Sequence, residues 1–281
     1  MELAEITSGL GVVTAKRVEE AIDKLLLLPQ AKCEVLHHFP EPGVYLREAR
    51  FPAGAMVIGH HQNFAQTNIF VKGRVTMLLE DGTTLELKAP MSYHGKPGRK
   101  IGYIHEDVVW YNVYQTYEQD IEKLEDYYLT KPESFNRRPA DERKLLAAIH
   151  AQGDYRGMLM DKGLEQEAID LVVKDESDMV DMPHGTYKWQ LGPSLIHGKG
   201  IMATADIAVG EELGVARLGG GRTQLGRFTN HSSMPNARFR YLDNGDIYLY
   251  AISPIEGQRG GVVGDEILID YREPLAQIHN I

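Results

Sequence analysis

Apolar and polar residues alternate along most of the chain from Val44 onward. VYLREARF, PAGAMVIGHH, TNIFVKGRVTMLL and TLEL place apolar residues at about every second position, the period of a half-buried strand. EDGTT, Glu80 to Thr84, separates TMLL from TLEL, and its Asp81-Gly82 pair predicts a hairpin. FVKGRVTML reads as a strand followed by a turn at Gly73, and VVWYNVYQT, Val108 to Thr116, as a closing strand. Short strands with Gly and Pro turns predict a sandwich or barrel.

The period becomes helical in two places. AKRVEEAIDKLLLL, residues 15–28, predicts a short amphipathic helix that Thr14 could cap and the following prolines stop. Between 117 and 184, IEKLEDYYL, ADERKLLAAIHAQ and LEQEAIDLVVKD predict three short helices, punctuated by Pro132, Pro139 and Pro183. The predicted organisation is an N-terminal helical segment (1–30), a β-barrel (31–116), a helical connector (117–184) and a second β domain (185–281). The fold class is therefore mainly β with a helical connector.

Composition narrows the function classes. The chain has 281 residues, 43% hydrophobic and 25% charged, in the range of a globular protein. The formal charge of −10 argues against nucleic acid as a partner. No apolar run is long enough for a membrane span, and MELAEITSG does not read as a signal peptide. The single cysteine, Cys33, excludes an internal disulfide or a cysteine zinc cluster and fits a cytoplasmic location.

Three stretches are too rich in turn-formers and free polar groups for plain strands. They are SLIHGKGIMATADIAVGEELGVARL (Ser194–Leu218), RFTNHSSMPNA (Arg227–Ala237) and GDEILIDYRE (Gly264–Glu273). In this order they resemble the SET domain of lysine methyltransferases, over roughly the last third of the chain. The resemblance implies S-adenosylmethionine as cofactor and a lysine-bearing protein or peptide as substrate. It implies cofactor contacts at Gly198, Lys199, Gly200, Ile201, Asn230 and His231, with Tyr271 as the catalytic hydroxyl. It also implies a knot-like C-terminal segment that brings Asn230 and Tyr271 together. Each residue has a plainer reading: Asn230 as a turn-former, His231 as a satisfied structural histidine, Tyr271 as a core aromatic, the glycines as a turn. Arg217, Arg222 and Arg227 are expected to pair with local carboxylates such as Asp265 or Glu266.

This part departs from the family pattern. The link VARLGGGRTQLG is short where many such enzymes carry an insert that walls the peptide groove, and PLAQIHNI has no zinc-binding cysteines. Either the barrel or the helices complete the substrate wall, or the second subunit of a homo-oligomer does, or catalysis has lapsed. A short SET part of this kind resembles small bacteriophage and bacterial proteins, which puts the host cytoplasm or a virion among the expected locations.

The front block resembles a cupin, on PAG before a strand, the FVKGRVTML segment and KPGRKIGYIHEDVVWYNVY. Metal-binding cupins supply histidines and a carboxylate just before that glycine. Here Gln62, Asn63, Gln66 and Asn68 stand there instead, and His60, His61 and His105 fall out of register. No metal is expected. The sequence thus predicts a methyltransferase acting on protein lysine. The alternative is a non-catalytic structural or accessory protein of a phage particle, using both folds as binding scaffolds.

Overall fold

The structure, a computed structural model, describes residues 15–79, 82–132 and 142–278. Thr14, Glu80, Asp81, Ala140 and Asp141, which figured in the expectations above, lie outside them. The chain divides into two compact units. The first holds residues up to Glu118, then Lys123–Pro139 and Gln258–Val263; the second holds Gln119–Glu122, Ala140–Gly257 and Gly264–Ile281. Among the described residues no helix is long and apolar enough to cross a membrane.

The first unit begins with α1 (Ala15–Leu25), followed by β1 (Glu34–Phe39), β2 (Val44–Phe51), β3 (Met56–Ile58) and β4 (His61–Gln62). Then come β5 (Gln66–Leu79), β6 (Thr84–Lys88), β7 (Met91–Gly95) and β8 (Lys100–Gln115). Helix α2 (Ile121–Tyr128) runs into β9 (Leu129–Thr130), which pairs with β4. All the larger pairings are antiparallel. The two long strands β5 and β8 pair along their whole length and carry the rest. One half of β8 pairs with β2 while the matching half of β5 pairs with β7. The other half of β8 pairs with β3, and the other half of β5 with β6. Two layers thus share two bent strands.

The bend is at Gly73, where the β5–β8 register shifts between Phe70 and Val75. Gly73 has φ 96°, and a Cβ there would overlap the Asp107 carbonyl. The glycine predicted as a turn is a bend inside one 14-residue strand: the partner β8 is continuous, so the ladder resumes beyond it. Phe70, Val75, Met77, Leu87, Ile104 and Val108 form the buried core between the layers.

Strands β1, β7 and β9 escape the sequence pattern. EVLHHF, inside the predicted barrel but not singled out as a strand, is β1, whose His37 is wholly buried and bonds Tyr45 Oη through Nδ1 at 2.7 Å. MSYHG is β7. The predicted hairpin is present as Leu78 opposite Thr84.

The second unit opens with α3 (Glu142–Lys162) and α4 (Gln166–Lys174). It continues through β10 (Gly185–Tyr187), β11 (Trp189–Pro193), β12 (Lys199–Ala203), β13 (Glu212–Leu218) and β14 (Gly221–Arg222). It ends with α5 (Gln224–Phe228), β15 (Asn230–His231), β16 (Ala237–Tyr241), β17 (Ile247–Ala251), β18 (Leu268–Ile269) and α6 (Arg272–Ile278). β11 and β12 form a hairpin, β14-β13-β17-β16 an antiparallel sheet, and β15 pairs with β18 in parallel. Trp189, Ile201, Leu225, Leu249 and Ile267 are fully buried, and the Trp189 indole donates to the Leu213 carbonyl at 2.9 Å.

Helix α3 runs ten residues past its predicted end at Gln152. Ala148, Ala151, Met158 and Leu159 share one buried face, and that packing outweighs about 1 kcal/mol for each of Gly153 and Gly157. The three helices read as a connector do not form a body of their own. α3 and α4 belong to the second unit, while most of α2 belongs to the first.

Candidate functional sites

In the second unit, the parallel pairing of β15 with β18 joins two of the polar motifs. Asn230 lies opposite Leu268 and His231 opposite Ile269. The chain then turns at Asp270, so that Tyr271 folds back over β15. Its backbone N–H donates to His231 Nδ1 at 3.0 Å, and its hydroxyl donates to the Thr229 carbonyl at 2.8 Å. The Pro-Asn pair that follows clamps the same segment. Asn236 Nδ2 donates to the Glu266 carbonyl and Asn236 Oδ1 accepts from Leu268 N–H, both at 2.8 Å.

His231 is locked from both sides. Because Nδ1 accepts the Tyr271 N–H, it carries no proton, and Nε2 donates to Asp154 Oδ2 at 2.7 Å. Arg272 grips the same carboxylate with two hydrogen bonds of 2.8 Å. The Arg272 hydrogen bonds, with help from His231, hold the Asp154 carboxyl down at about 2. Burial pushes the Tyr271 phenol well up, and Tyr155 and Glu266 push it further. An open hollow of about 680 Å³ beside Asp154 is lined by Ile149, His150, Gly153, Ser233 and Met234.

The GKG stretch meets Asn230 through a half-buried carboxylate. Asn230 Nδ2 lies 2.7 Å from Glu266 Oε1, 3.0 Å from the Lys199 carbonyl and 3.1 Å from Ser194 Oγ. Ser194 Oγ is 2.9 Å from both Glu266 oxygens. Burial pushes the Glu266 carboxyl up, against the pull of these hydrogen bonds. Gly200 is a glycine because a Cβ there would overlap the Glu266 carboxylate. Lys199 Nζ pairs with Glu122 at 2.7 Å, and the Ile201 side chain is fully buried. Gly198, with φ 51°, has open space where a Cβ would stand.

Asn230, His231 and Tyr271 are therefore together, with Lys199 and Gly200 beside Asn230. Two of the three arginines do pair with carboxylates, as expected, but with Asp178 and Glu176 and not with Asp265 or Glu266. Arg222 pairs with Asp178, and Arg227 bonds the Val173 and Asp175 carbonyls with Glu176 nearby. Arg217 bonds the Gly220 carbonyl. Asp265 faces Lys144 and Arg143, while Glu266 is taken by Asn230 and Ser194. These arginines brace the α4–β10 segment and its turn, nearer in space than the last motif.

The first unit has an interior cavity of about 100 Å³. Phe51, Val57, Val75, Met77 and Ile104 line its apolar part; Arg47, His60, Gln62, Lys100 and Asn112 line its polar part. Of the residues that stand in place of a metal set, Gln62 lines the cavity and Gln66 and Asn68 are buried, while Asn63 turns away to the Tyr127 carbonyl and the Thr130 hydroxyl. Asn68, wholly buried, accepts at Oδ1 from Trp110 Nε1 at 2.9 Å and Asn112 Nδ2 at 2.8 Å. Gln62 Oε1 accepts from the Tyr114 hydroxyl at 2.8 Å. Gln66 is buried, with neither amide atom paired among the described residues. Neutral amides, two of them with oxygens already taken by the Trp110, Asn112 and Tyr114 donors, do not suit a divalent transition metal. Among the described residues, no three His, Cys, Asp or Glu side chains are grouped to hold one.

No family model matches the chain, and no curated protein matches its sequence. Solved structures to which it is similar include cupin domains. A cupin domain from Bordetella pertussis is 17% identical over 32% of this chain and 98% of that one, with a TM-score of 0.26. The cupin domain of Cnp3 from Schizosaccharomyces pombe is 17% identical over 32% of this chain and 64% of that one, TM-score 0.26. An RmlC-like cupin family protein with a double-stranded β-helix fold from Methanocaldococcus jannaschii is 21% identical over 31% of this chain and 84% of that one, TM-score 0.25.

The sequence reading missed Asp154, Arg272, Ser194 and Asn236 as members of the second unit's cluster, and gave Glu266 the wrong partner. Asp154 sits on a charged helix 77 residues from His231, and no local signal marks it. Asn236 and Glu266 stood inside the quoted motifs, where a paired amide and carboxylate were the available signal.

Proposed function

We propose that the second unit is an S-adenosylmethionine-dependent methyltransferase acting on the amine of a protein lysine. What carries the reading is the parallel pairing of Asn230-His231 with Leu268-Ile269, which sets the Tyr271 hydroxyl against the Thr229 carbonyl. The knot-like threading of residues 264–273 belongs to this reading, as does main-chain contact with the cofactor at Gly198–Ile201 and Asn230-His231. The bound cofactor would supply a methyl group on a sulfonium sulfur.

The chain's own part is to orient a neutral amine. A free lysine is mostly protonated at neutral pH. A phenol whose pKa is pushed up by burial stays protonated there and cannot act as a base. Tyr271 can instead place the amine by hydrogen bonding, with the Thr229 carbonyl as a second acceptor for its N–H. The Asp154–His231 pair holds the backbone of Tyr271 through Nδ1 and so fixes where the phenol stands.

The test is transfer of a labelled methyl group from S-adenosylmethionine to lysine-rich protein, alongside calorimetry with the cofactor. Tyr271→Phe should bind the cofactor as the parent does and transfer about 10²-fold more slowly. Unchanged transfer would remove Tyr271 from the mechanism, and no heat of cofactor binding would overturn the reading.

One observation favours a second reading, a non-catalytic scaffold such as a component of a phage particle. The Asn230 amide, the Glu266 carboxylate and the Lys199 ammonium are already satisfied by the chain itself. Recovery at fixed stoichiometry in purified particles, without cofactor binding, would support that role.

A further inference from the structure

We propose that α4, with the turn before it, is a docking surface for a basic amphipathic helix of a partner protein. The helix has a polar and an apolar side, yet none of its residues is buried. Its half-buried residues, Gln166, Ile169 and Asp170, mark the side turned to the second unit. Ala168, Leu171 and Val172 fall at helical spacing on the other side, and Leu171 is 71% exposed and Val172 64%. Met160 and Leu164, exposed as well, stand at the tight turn that leads into α4. The apolar stripe of this helix therefore points outward.

Polar contacts rather than burial keep α4 in place. Arg222 Nη2 donates to the Asp175 carbonyl at 2.8 Å and to the Val172 carbonyl at 3.4 Å. Arg227 Nη1 donates to the Asp175 carbonyl at 2.8 Å, and its Nη2 to the Val173 carbonyl. Two guanidinium groups thus close the C-terminal end, where helix carbonyls lack partners of their own and the dipole favours cations. A helix of nine residues is marginal by itself in water, and this clamp holds it folded without covering its outer side. An apolar stripe fixed in that way is stabilised when a second apolar surface removes it from water.

Charge selects what covers it. Residues 161–178 hold seven acidic residues and two lysines. Asp178 is taken by Arg222, and Glu176 faces Arg227. Glu167 and, at the helix start, Glu165 are exposed on either side of the apolar stripe, and the Glu165 side chain makes no cap bond. A helix laid on the stripe would set its own flanking positions beside these carboxylates, so lysine or arginine there is attracted and an acid repelled. The partner segment therefore carries apolar anchors at i, i+3, i+4 and i+7 with basic flanks. A second copy of the surface would bring the same surplus of acid against it, and nucleic acid or an anionic membrane is repelled.

The experiment titrates the full chain with three synthetic peptides of about 18 residues, long enough to form a helix. One is a leucine–lysine amphipathic helix, one has glutamine in place of every lysine, and one keeps the leucines and lysines but scrambles their period. Fluorescence anisotropy should show saturable binding of the first, and binding of the other two about tenfold or more weaker. Leu171→Ser with Val172→Ser should weaken the first at least about tenfold at an unchanged melting temperature, because both side chains are exposed. Glu165→Gln with Glu167→Gln should remove most of the preference for lysine over glutamine. Equal binding of the ordered and scrambled lysine peptides would overturn the proposal, since charge alone would then account for it. Binding that survives the Leu171 and Val172 changes would overturn it, as would failure of the first peptide to bind. Sedimentation would overturn it in favour of a second copy if the full chain dimerises and the Leu171 and Val172 variant does not. None of these results bears on methyl transfer.

Discussion

Asp154 carries more of the second unit than its place on a charged helix suggests. It fixes the tautomer of His231 and is itself gripped by Arg272, and these contacts hold its carboxyl at about 2, below its ordinary 3.8. A carboxyl depressed on folding stabilises the folded chain above its unfolded pKa, and that contribution is lost as pH falls through the folded value. Asp154→Asn should therefore lower the melting temperature near pH 6, and the gap from the parent should close between about pH 4 and pH 2. A gap that stays constant over that range would show that the contact does not depend on ionised Asp154. Asn230, His231 and Tyr271 could be singled out from sequence because polar groups crowd into short motifs there. Asp154 could not, since its partner lies 77 residues away and a lone aspartate on a helix looks solvated.

Glycines decide the elements. Gly73 and Gly54 both have positive φ, 96° and 82°, but a Cβ at Gly54 meets nothing within 4 Å while one at Gly73 overlaps the Asp107 carbonyl. Gly54→Ala should cost about 1 kcal/mol from backbone strain alone. Gly73→Ala should cost about 3 kcal/mol, since the bent ladder must also move. Urea midpoints of the two variants measure the difference, and equal losses would mean that the bend tolerates a side chain. Gly200→Ala should cost about 1 to 3 kcal/mol by displacing Glu266 from Asn230. The alternation that predicted β2, β5 and the β5–β6 hairpin was legible because one face of each strand is buried. β1 was not, because its buried face includes His37, a residue that ordinarily argues for the surface. A glycine between two apolar runs gives the same local signal for a turn and for a bend, and only the continuous partner β8 tells them apart.

The whole molecule is not cut where the texture of its sequence changes. Gln258–Val263, far along the chain, belongs to the first unit, where Gly261 N–H donates to Gln30 Oε1 at 2.8 Å. Gly260 hydrogen-bonds Cys33 through its backbone, and burial pushes that thiol up to about 11. In the full chain a thiol reagent should therefore label Cys33 slowly. Replacing residues 258–263 with a flexible linker should raise the rate at least about tenfold, because both burial and pKa protect the thiol. An unchanged rate would show that the segment does not shield Cys33. No local pattern in QRGGVV announces such a role, because six residues without periodicity read as a loop.

On the ribosome this arrangement imposes an order of events. The front unit lacks its final piece until residue 263 has been made, long after Pro139 has left the exit tunnel. At about 5–20 residues per second the wait is on the order of 10 s. For that interval the surface around Gln30 and Cys33 stands uncovered, and a nascent chain of this protein offers chaperones and oxidants a target that the finished one has closed.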